Sequence, residues 1–362
     1  MRNRFHSLCP YFAMFPESFA ERWIGELTKP GDIVLDPFCG RGTAPFQALL
    51  MGRTTIACDV NPVAYCVTQA KTAAPPPGQL RARLTLLGRQ FRPADWEAER
   101  RRLSPFFRAA FHPQTLRKLL FLRQRLRWRE SRGDCMLAAL VLGSLHGESR
   151  SPSYFSNQMP RTISTKPDYS LRFWRDRDLT APLRDPFEIL RERVAFRYTT
   201  PPPQGQATVF NSDMRELPRL LAASDALRCV VTSPPYLDVT NFEEDQWLRH
   251  WFLGGPSVPR RTAMSRDDRH SSRDGYWRLI ADMWRALGQV LGPRAHVVIR
   301  IGAKSMAPDA VASAVTGTAV CSGRRVRLVA SEVSELRGRQ TDAFRPGATG
   351  CSREIDCHFV MT

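Results

Sequence analysis

Acidic, glycine and hydroxyl residues recur in this sequence where short apolar runs stop. Ile33-Val34-Leu35 runs into Asp36-Pro37-Phe38-Cys39-Gly40-Arg41-Gly42. Thr54 to Cys58 stops at Asp59, followed by Asn61-Pro62. "ATVFNSD" stops at Asp213, "LRCVVT" stops at Ser233-Pro234-Pro235-Tyr236, and "AHVVIRIG" stops at Arg300 to Gly302. Apolar runs of this length bounded by turn residues read as buried strands. In an open parallel sheet, ligands collect at the carboxyl ends of the strands. Five chemically distinctive strand ends therefore predict one shared site.

The turn after the first strand narrows the ligand. Gly40 and Gly42 let backbone approach a bound group closely. Pro45 stands where a G-x-G-x-x-G motif would carry its third glycine, and no Gly-Lys-Ser/Thr follows, so neither a dinucleotide nor a nucleoside triphosphate is favoured. Asp36 is a poor neighbour for a pyrophosphate and a good one for a cationic amino acid or a sulfonium. Asp59 is spaced to accept hydrogen bonds from ribose hydroxyls, as acids do in nucleoside-binding βαβ units. A G-x-G also serves ordinary turns, and strand-end aspartates also cap helices. Taken together these residues point to an adenosine-bearing ligand with a charged tail.

The elements that must position these residues follow from the pattern between them. Thr43 onward has helical apolar spacing and stops near Gly52, and Asn61-Pro62 opens a second helix. This is β-α-β-α, the unit of a parallel sheet covered by helices. Two proline-rich stretches, "TAAPPPGQ" (72–79) and "TTPPPQGQ" (199–206), bracket a region without a clear strand. The expected organisation is an α/β domain made of residues 1–73 and 206–362, interrupted by a mainly helical insertion at 74–205. "RVRLVASEVSEL" and "SREIDCHFVMT" read as a terminal antiparallel pair.

Two motifs make a family resemblance specific. "LDPFCGRGT" resembles motif I of the S-adenosylmethionine-dependent DNA amino-methyltransferases, and "TSPPY" resembles their motif IV. "ACDVNPVA" and "VFNSDMREL" resemble motifs II and III, and "HSLCPYFAMFPESFAERWIGELTKPGD" resembles the motif X that precedes motif I. The resemblance implies a Rossmann-like class I methyltransferase sheet with an antiparallel terminal hairpin, and S-adenosyl-L-methionine as cofactor. It implies that Asp36, Phe38, Gly40 and Gly42 shape the methionine part of the pocket. Asp59 would hold the ribose, Asp213 the adenine amino group, and Asn61 a secondary contact. Ser233, Pro234, Pro235 and Tyr236 become the catalytic turn. An exocyclic base amine is a poor nucleophile; Ser233 Oγ and the Pro234 carbonyl would bind its N–H groups, and Tyr236 would stack on a base taken out of the duplex.

Serine at the head of TSPPY resembles the form found in cytosine-N4 enzymes, with adenine-N6 as the alternative. An RNA or protein amino-methyltransferase, or a catalytically dead nucleic-acid-binding regulator, stays open beyond that. The resemblance implies double-stranded DNA as partner and a restriction–modification setting, with a cognate restriction endonuclease as a candidate second partner. The stretch "ESRSPSYFSNQMPRTISTKPDYSLRFWRDRD" interleaves arginines with Tyr154, Phe155, Tyr169, Phe173 and Trp174. It reads either as a DNA-contacting element or as a loop over the site whose aromatics join the core.

Composition agrees with such partners. The chain of 362 residues carries 53 Lys+Arg against 35 Asp+Glu, a net charge of +18, almost all of it arginine. A polyanionic partner explains this excess, and so does an arginine-favouring genome. No apolar stretch is long enough to span a bilayer, and the first residues do not read as a signal peptide, so the cytoplasm is the expected compartment. The nine cysteines include no C-x-x-C and no zinc-ligand spacing, so reduced, buried thiols and no metal are expected.

Overall fold

In a computed structural model, residues 3–11, 15–146, 153–157, 166–237, 242–259, 272–303, 305–335 and 353–362 are described. In chain order the first half contains α1 (Glu17–Leu27), β1 (Ile33–Asp36), α2 (Thr43–Leu50), β2 (Thr54–Cys58), α3 (Pro62–Thr72), α4 (Pro77–Gln90) and α5 (Glu97–Arg102). It continues with α6 (Pro105–Ala110), α7 (Pro113–Arg125), α8 (Arg132–Leu142), α9 (Pro167–Arg175) and α10 (Pro186–Arg197). The sheet then resumes with β3 (Ala207–Phe210), α11 (Leu217–Leu220), β4 (Leu227–Thr232), α12 (Phe242–Phe252), α13 (Arg273–Val290), β5 (Ala295–Ile301), α14 (Pro308–Thr318), β6 (Val326–Glu335) and β7 (Arg353–Met361).

The strands form one seven-stranded sheet in the order β3-β2-β1-β4-β5-β7-β6. β1 to β5 run parallel; β7 lies antiparallel between β5 and β6. This is a Rossmann-like, doubly wound sheet with the terminal antiparallel pair that the motif resemblance implies. The chain winds outward from β1 through β2 to β3, then returns to place β4 on the other side of β1. The β1–β4 boundary is therefore the point where strand order reverses, and the carboxyl ends of these two strands flank the crevice.

Alternation along the strands divides the core. Leu35, Val230, Val297, Ile299, Cys357 and Phe359 face α13 and α14, while Val34, Val231 and Val298 face α1 and α2. The helices between β2 and β3 do not make a separate core. Phe106, Phe107, Leu119 and Leu140 pack in one cluster with Phe5, Phe46, Val67, Trp247 and Trp251. The N-terminal residues, α3 and α12 thus share an interior with the inserted helices.

Local expectations met the structure in different ways. Prolines sit in the first turn of α3, α4, α7, α9 and α10, where the missing N–H costs nothing. For α4 this shortens the first proline-rich stretch, because Pro77 already belongs to the helix. β3 stops at Phe210, three residues before Asp213, which instead caps a short 3-10 turn at Met214–Glu216. Among the described cysteines all are free thiols and all but Cys321 are buried. Among the described residues no cluster could hold a metal ion, and no helix is long and apolar enough to cross a membrane. The segment "SRDDRHSSRDG", its last four residues apart, and the loop joining β6 to β7 lie outside the described residues.

Packing of α13 supplies a test. A Cβ on Gly288 would drive into the backbone carbonyl of Ser322, which cannot rotate away. Gly288→Ala is expected to lower the unfolding free energy by about 1–3 kcal/mol, the usual range for overpacking, measured by denaturant titration. An unchanged midpoint would mean that α13 does not lie this close to the turn.

Candidate active site

The site is organised at the carboxyl ends of β1 and β4. Thr232 Oγ1 donates to Asp36 Oδ1 at 2.7 Å, across the boundary where strand order reverses. Phe38 N donates to the same oxygen at 3.2 Å. Asp36 is 1% exposed, and its Oδ2 has no hydrogen-bond partner among the described residues. Burial pushes its carboxyl up to about 7, against these hydrogen bonds, which pull it down.

The glycine turn is locked from three sides. Gly40 N donates to Asp59 Oδ2 at 2.8 Å, and Thr68 Oγ1 of α3 donates to the Gly40 carbonyl at 3.1 Å. Cys39 N donates to the Cys58 carbonyl at 3.0 Å. Gly40 and Gly42 have φ of 50° and 70°, in the left-handed region. A Cβ on Gly42 would come within 2.5 Å of Thr68 Oγ1, so glycine is required there on two counts.

Asp59 therefore has a structural duty. Its Oδ1 accepts from Asn61 N at 2.9 Å while Oδ2 holds Gly40. It keeps some solvent exposure, yet burial raises its carboxyl to about 6. Each oxygen has a second lone pair to offer a ligand. Asn61 caps α3 by accepting from Val63 N at 2.9 Å, and its amide donates to Tyr11 Oη at 3.1 Å. Asp213 caps its 3-10 turn and holds Arg215, whose Nε donates to Asp213 Oδ1 at 2.8 Å. Asn211 bonds the carbonyls of Asp59 and Val60 and accepts from Arg129 of the α7–α8 loop at 3.0 Å.

The second half of the site is the TSPPY turn. Pro234 and Tyr236 are buried; Ser233 and Pro235 are half-buried. Ser233 Oγ donates to Tyr236 Oη at 3.4 Å, and Tyr236 Oη donates to Glu354 Oε1 at 2.8 Å. Glu354 comes from β7. Its other oxygen lies 3.7 Å from Arg300 Nη1, and Arg300 makes a bidentate pair with Asp356 at 2.6 and 2.7 Å. Burial, and then the Glu354 charge, push the Tyr236 hydroxyl well above its ordinary range; burial likewise raises Glu354.

The structure thus brings Asp36, Phe38, Gly40, Gly42, Asp59, Asn61 and the Ser233–Tyr236 turn to one end of the sheet. Asp213 lies beyond the edge strand, engaged with Arg215. Sequence reading missed Tyr11, Thr68, Thr232, Lys71, Glu354 and Asp356. A signal existed for the last two: acids two apart on a strand share a face. Their pairing with Arg300 depends on the register Arg300↔Asp356, which no local pattern carries.

Comparison with known proteins narrows the chemistry. The DNA methylase family, of the N6/N4 methyltransferase type, matches residues 2–70. That segment holds the motif X, I and II stretches and most of the contacts around Asp36 and Asp59. The type II methyltransferase M.MjaII of Methanocaldococcus jannaschii is 32% identical over 66 residues, which is 18% of this chain and 12% of that protein's length. TrmN from Thermus thermophilus has a TM-score of 0.39 at 11% identity, covering 99% of this chain and 53% of that one. The rRNA methyltransferase AviRa from Streptomyces viridochromogenes gives 0.34 at 15% identity, covering 100% and 94%. The strand order, rather than these distant likenesses, carries the fold assignment.

S-adenosylmethionine is the cofactor that the motif resemblance implies, and the residues present fit it. Asp36 Oδ2 is a buried acceptor without a partner, and Lys71 Nζ is a buried donor without a hydrogen-bond partner among the described residues. Both lie within electrostatic reach of Cys39. An unsatisfied acid and an unsatisfied base around a glycine turn suit a zwitterionic amino-acid tail.

The raised carboxyls give a pH signature. Between 3.8, the ordinary value, and about 7, folded Asp36 holds a proton that the unfolded chain has released. Asp36 therefore contributes a loss of stability to the cofactor-free protein as pH rises through this window, with Asp59 adding to it up to about 6, against the opposite contribution of His250, whose imidazole is held down at about 4 by burial. Asp36→Asn should remove the Asp36 share, so that the melting temperature drops less, or rises more, from pH 5 to pH 8 than in the wild type. A cation beside Asp36 favours the ionised form, so cofactor affinity should rise over the same window in the wild type and not in the variant.

Proposed function

We propose that this protein is an S-adenosylmethionine-dependent DNA methyltransferase that modifies the exocyclic N4 amine of cytosine. The observation that carries the reading is the placement of Ser233-Pro-Pro-Tyr beside Asp36 at the point where strand order reverses. The DNA methylase match over residues 2–70 and the excess of arginine support it.

The bound cofactor would supply a methyl group on a sulfonium sulfur. Asp36 Oδ2, with Phe38, Gly40 and Gly42, would hold its methionine part. Asp59 would accept from the ribose through its free lone pairs, with Asn61 beside it. Asp213, at the far end, would face the adenine amino group while keeping Arg215. The base amine has its lone pair delocalised into the ring. Ser233 Oγ and the Pro234 carbonyl accept its two N–H groups and draw the nitrogen towards tetrahedral geometry, which exposes the lone pair. The prolines fix the turn and remove backbone donors that would compete. Positioning is the main device, and displacement of one angstrom costs about 10²-fold. Serine at the first position favours cytosine over adenine in this reading.

The insertion, residues 74–205, is the candidate target-recognition region. Phe155 and Trp174 are buried in the core, so they are not available to stack on bases. Tyr169 is 53% exposed, and Arg172, Arg175 and Arg177 are exposed along the same helix and its end. Such a surface suits phosphate contact beside an aromatic ring. Tyr154 and Phe173 are half-buried, with Arg193 over the Tyr154 ring and Arg177 over the Phe173 ring, and residues 148–152 and 158–165 of that stretch lie outside the described residues.

Nucleoside mass spectrometry on unmethylated genomic DNA, incubated with protein and S-adenosylmethionine, decides the reaction. N4-methylcytosine is expected, with Tyr236→Ala reducing it at least about 10²-fold. N6-methyladenine would keep the chemistry and overturn the base assignment. No methylated nucleoside despite cofactor binding would overturn the reading. Replacing Arg172 and Arg175 by alanine is expected to weaken DNA binding and to lower the salt dependence, log K against log salt, by about 1–2 units. An unchanged slope would place the phosphate contacts elsewhere.

A further inference from the structure

A nitrogen that gains a methyl group must lose a proton, and the methyltransferase reading, on which this inference rests, assigns no group to take it. Serine is a weak base, and among the described residues no ionised side chain is hydrogen-bonded to Ser233, whose hydroxyl reaches Tyr236 instead. The structure offers a route behind it. We propose that the proton released by the methylated amine passes through Ser233 Oγ and Tyr236 Oη to the carboxylate of Glu354.

The hydrogen bonds already point that way. Ser233 donates to Tyr236, and Tyr236 donates to Glu354. As the methyl bond forms, the nitrogen lone pair is spent and one N–H bond is left acidic. That proton moves to Ser233 Oγ while the serine proton moves to Tyr236 Oη and the tyrosine proton to Glu354 Oε1. The N–H electrons return to nitrogen as its lone pair, both hydroxyls end neutral, and Glu354 ends protonated. The proton is passed on to water between turnovers. At 3.4 Å the serine–tyrosine contact is long for two hydroxyls, and such contacts shorten when substrate is seated.

The surroundings tune the acceptor. Arg300 on β5 faces Glu354 Oε2 at 3.7 Å, and Asp356, two residues along β7, takes the other side of that guanidinium. Ser334 stands opposite Glu354 in the β6–β7 register and accepts from Arg300 at 3.3 Å. From α1, Phe19 covers the Arg300 guanidinium at 4.2 Å, while Arg22 is occupied by Glu332. With Arg300 shared by two acids, Glu354 is left basic enough to receive a proton, and burial raises it further towards neutrality.

Two variants and two readouts test the relay. Single-turnover methylation of the base identified by mass spectrometry is followed from pH 5 to 9 in the wild type, Glu354→Gln and Tyr236→Phe. The wild-type rate should fall tenfold per pH unit below the Glu354 titration. Both variants should lose that acid limb and show a plateau lower by about 10²-fold, the low end for general acid–base catalysis. In the cofactor-free protein, 13Cζ-tyrosine NMR should show the Tyr236 titration moving down when Glu354 loses its charge. Variants that keep the acid limb and a plateau within about threefold would overturn the relay while leaving the methyltransferase reading intact. A Tyr236 titration unmoved in Glu354→Gln would overturn it too. Should Glu354→Gln fail to fold, Tyr236→Phe decides alone by the same limb. A wild type that methylates no nucleoside would sink the methyltransferase reading and the relay together.

Discussion

The hydrogen bond from Thr232 to Asp36 is the contact on which the site depends. It joins the ends of the two strands that flank the reversal of strand order, the one place where a doubly wound sheet opens a crevice. It also holds a carboxylate in the interior with one oxygen satisfied and the other left over. A buried acceptor of that kind costs free energy unless a ligand completes it. The protein stores an electrostatic demand at the point where a cationic ligand would sit, and the backbone N–H of Phe38 keeps the carboxylate from turning away.

The glycine turn depends on that arrangement in turn. Asp59 ties the turn to β2, and Thr68 ties it to α3. Three elements meet at one tripeptide, so the turn has little freedom to drift. α3 in its turn shares a core with the inserted helices. The insertion is thereby mechanically part of the cofactor side of the molecule, and Arg129 makes the link explicit by reaching Asn211 beside Asp59.

Much of this could be read from residue order alone, for a physical reason. Asp36, Gly40, Gly42, Asp59 and Ser233 to Tyr236 announce themselves because each breaks a strand with chemistry unsuited to a strand. β1, β2, β4 and β5 were legible from their apolar runs. What stayed hidden depends on neighbours distant in sequence. Glu354 and Asp356 look like ordinary exposed acids until the antiparallel register sets them against Arg300 and Tyr236. Lys71 reads as a helix-end lysine until packing buries it over Phe46. Asp213 illustrates the opposite error: its position at a strand end is genuine in sequence, but β3 stops early and the carboxylate caps a turn.

The placement of β7 between β5 and β6 has a consequence for how the protein is made. The glycine turn and its partners Asp59 and Thr68 leave the ribosome close together. Tyr236 waits a further 118 residues for Glu354. β7 is the last strand in chain order and must slip between two strands that precede it. A nascent chain can thus assemble the pocket around Asp36 long before the tyrosine finds its carboxylate. The half of the site that would bind a cofactor matures early, and the half that would act on a substrate is withheld until synthesis has passed the final strand.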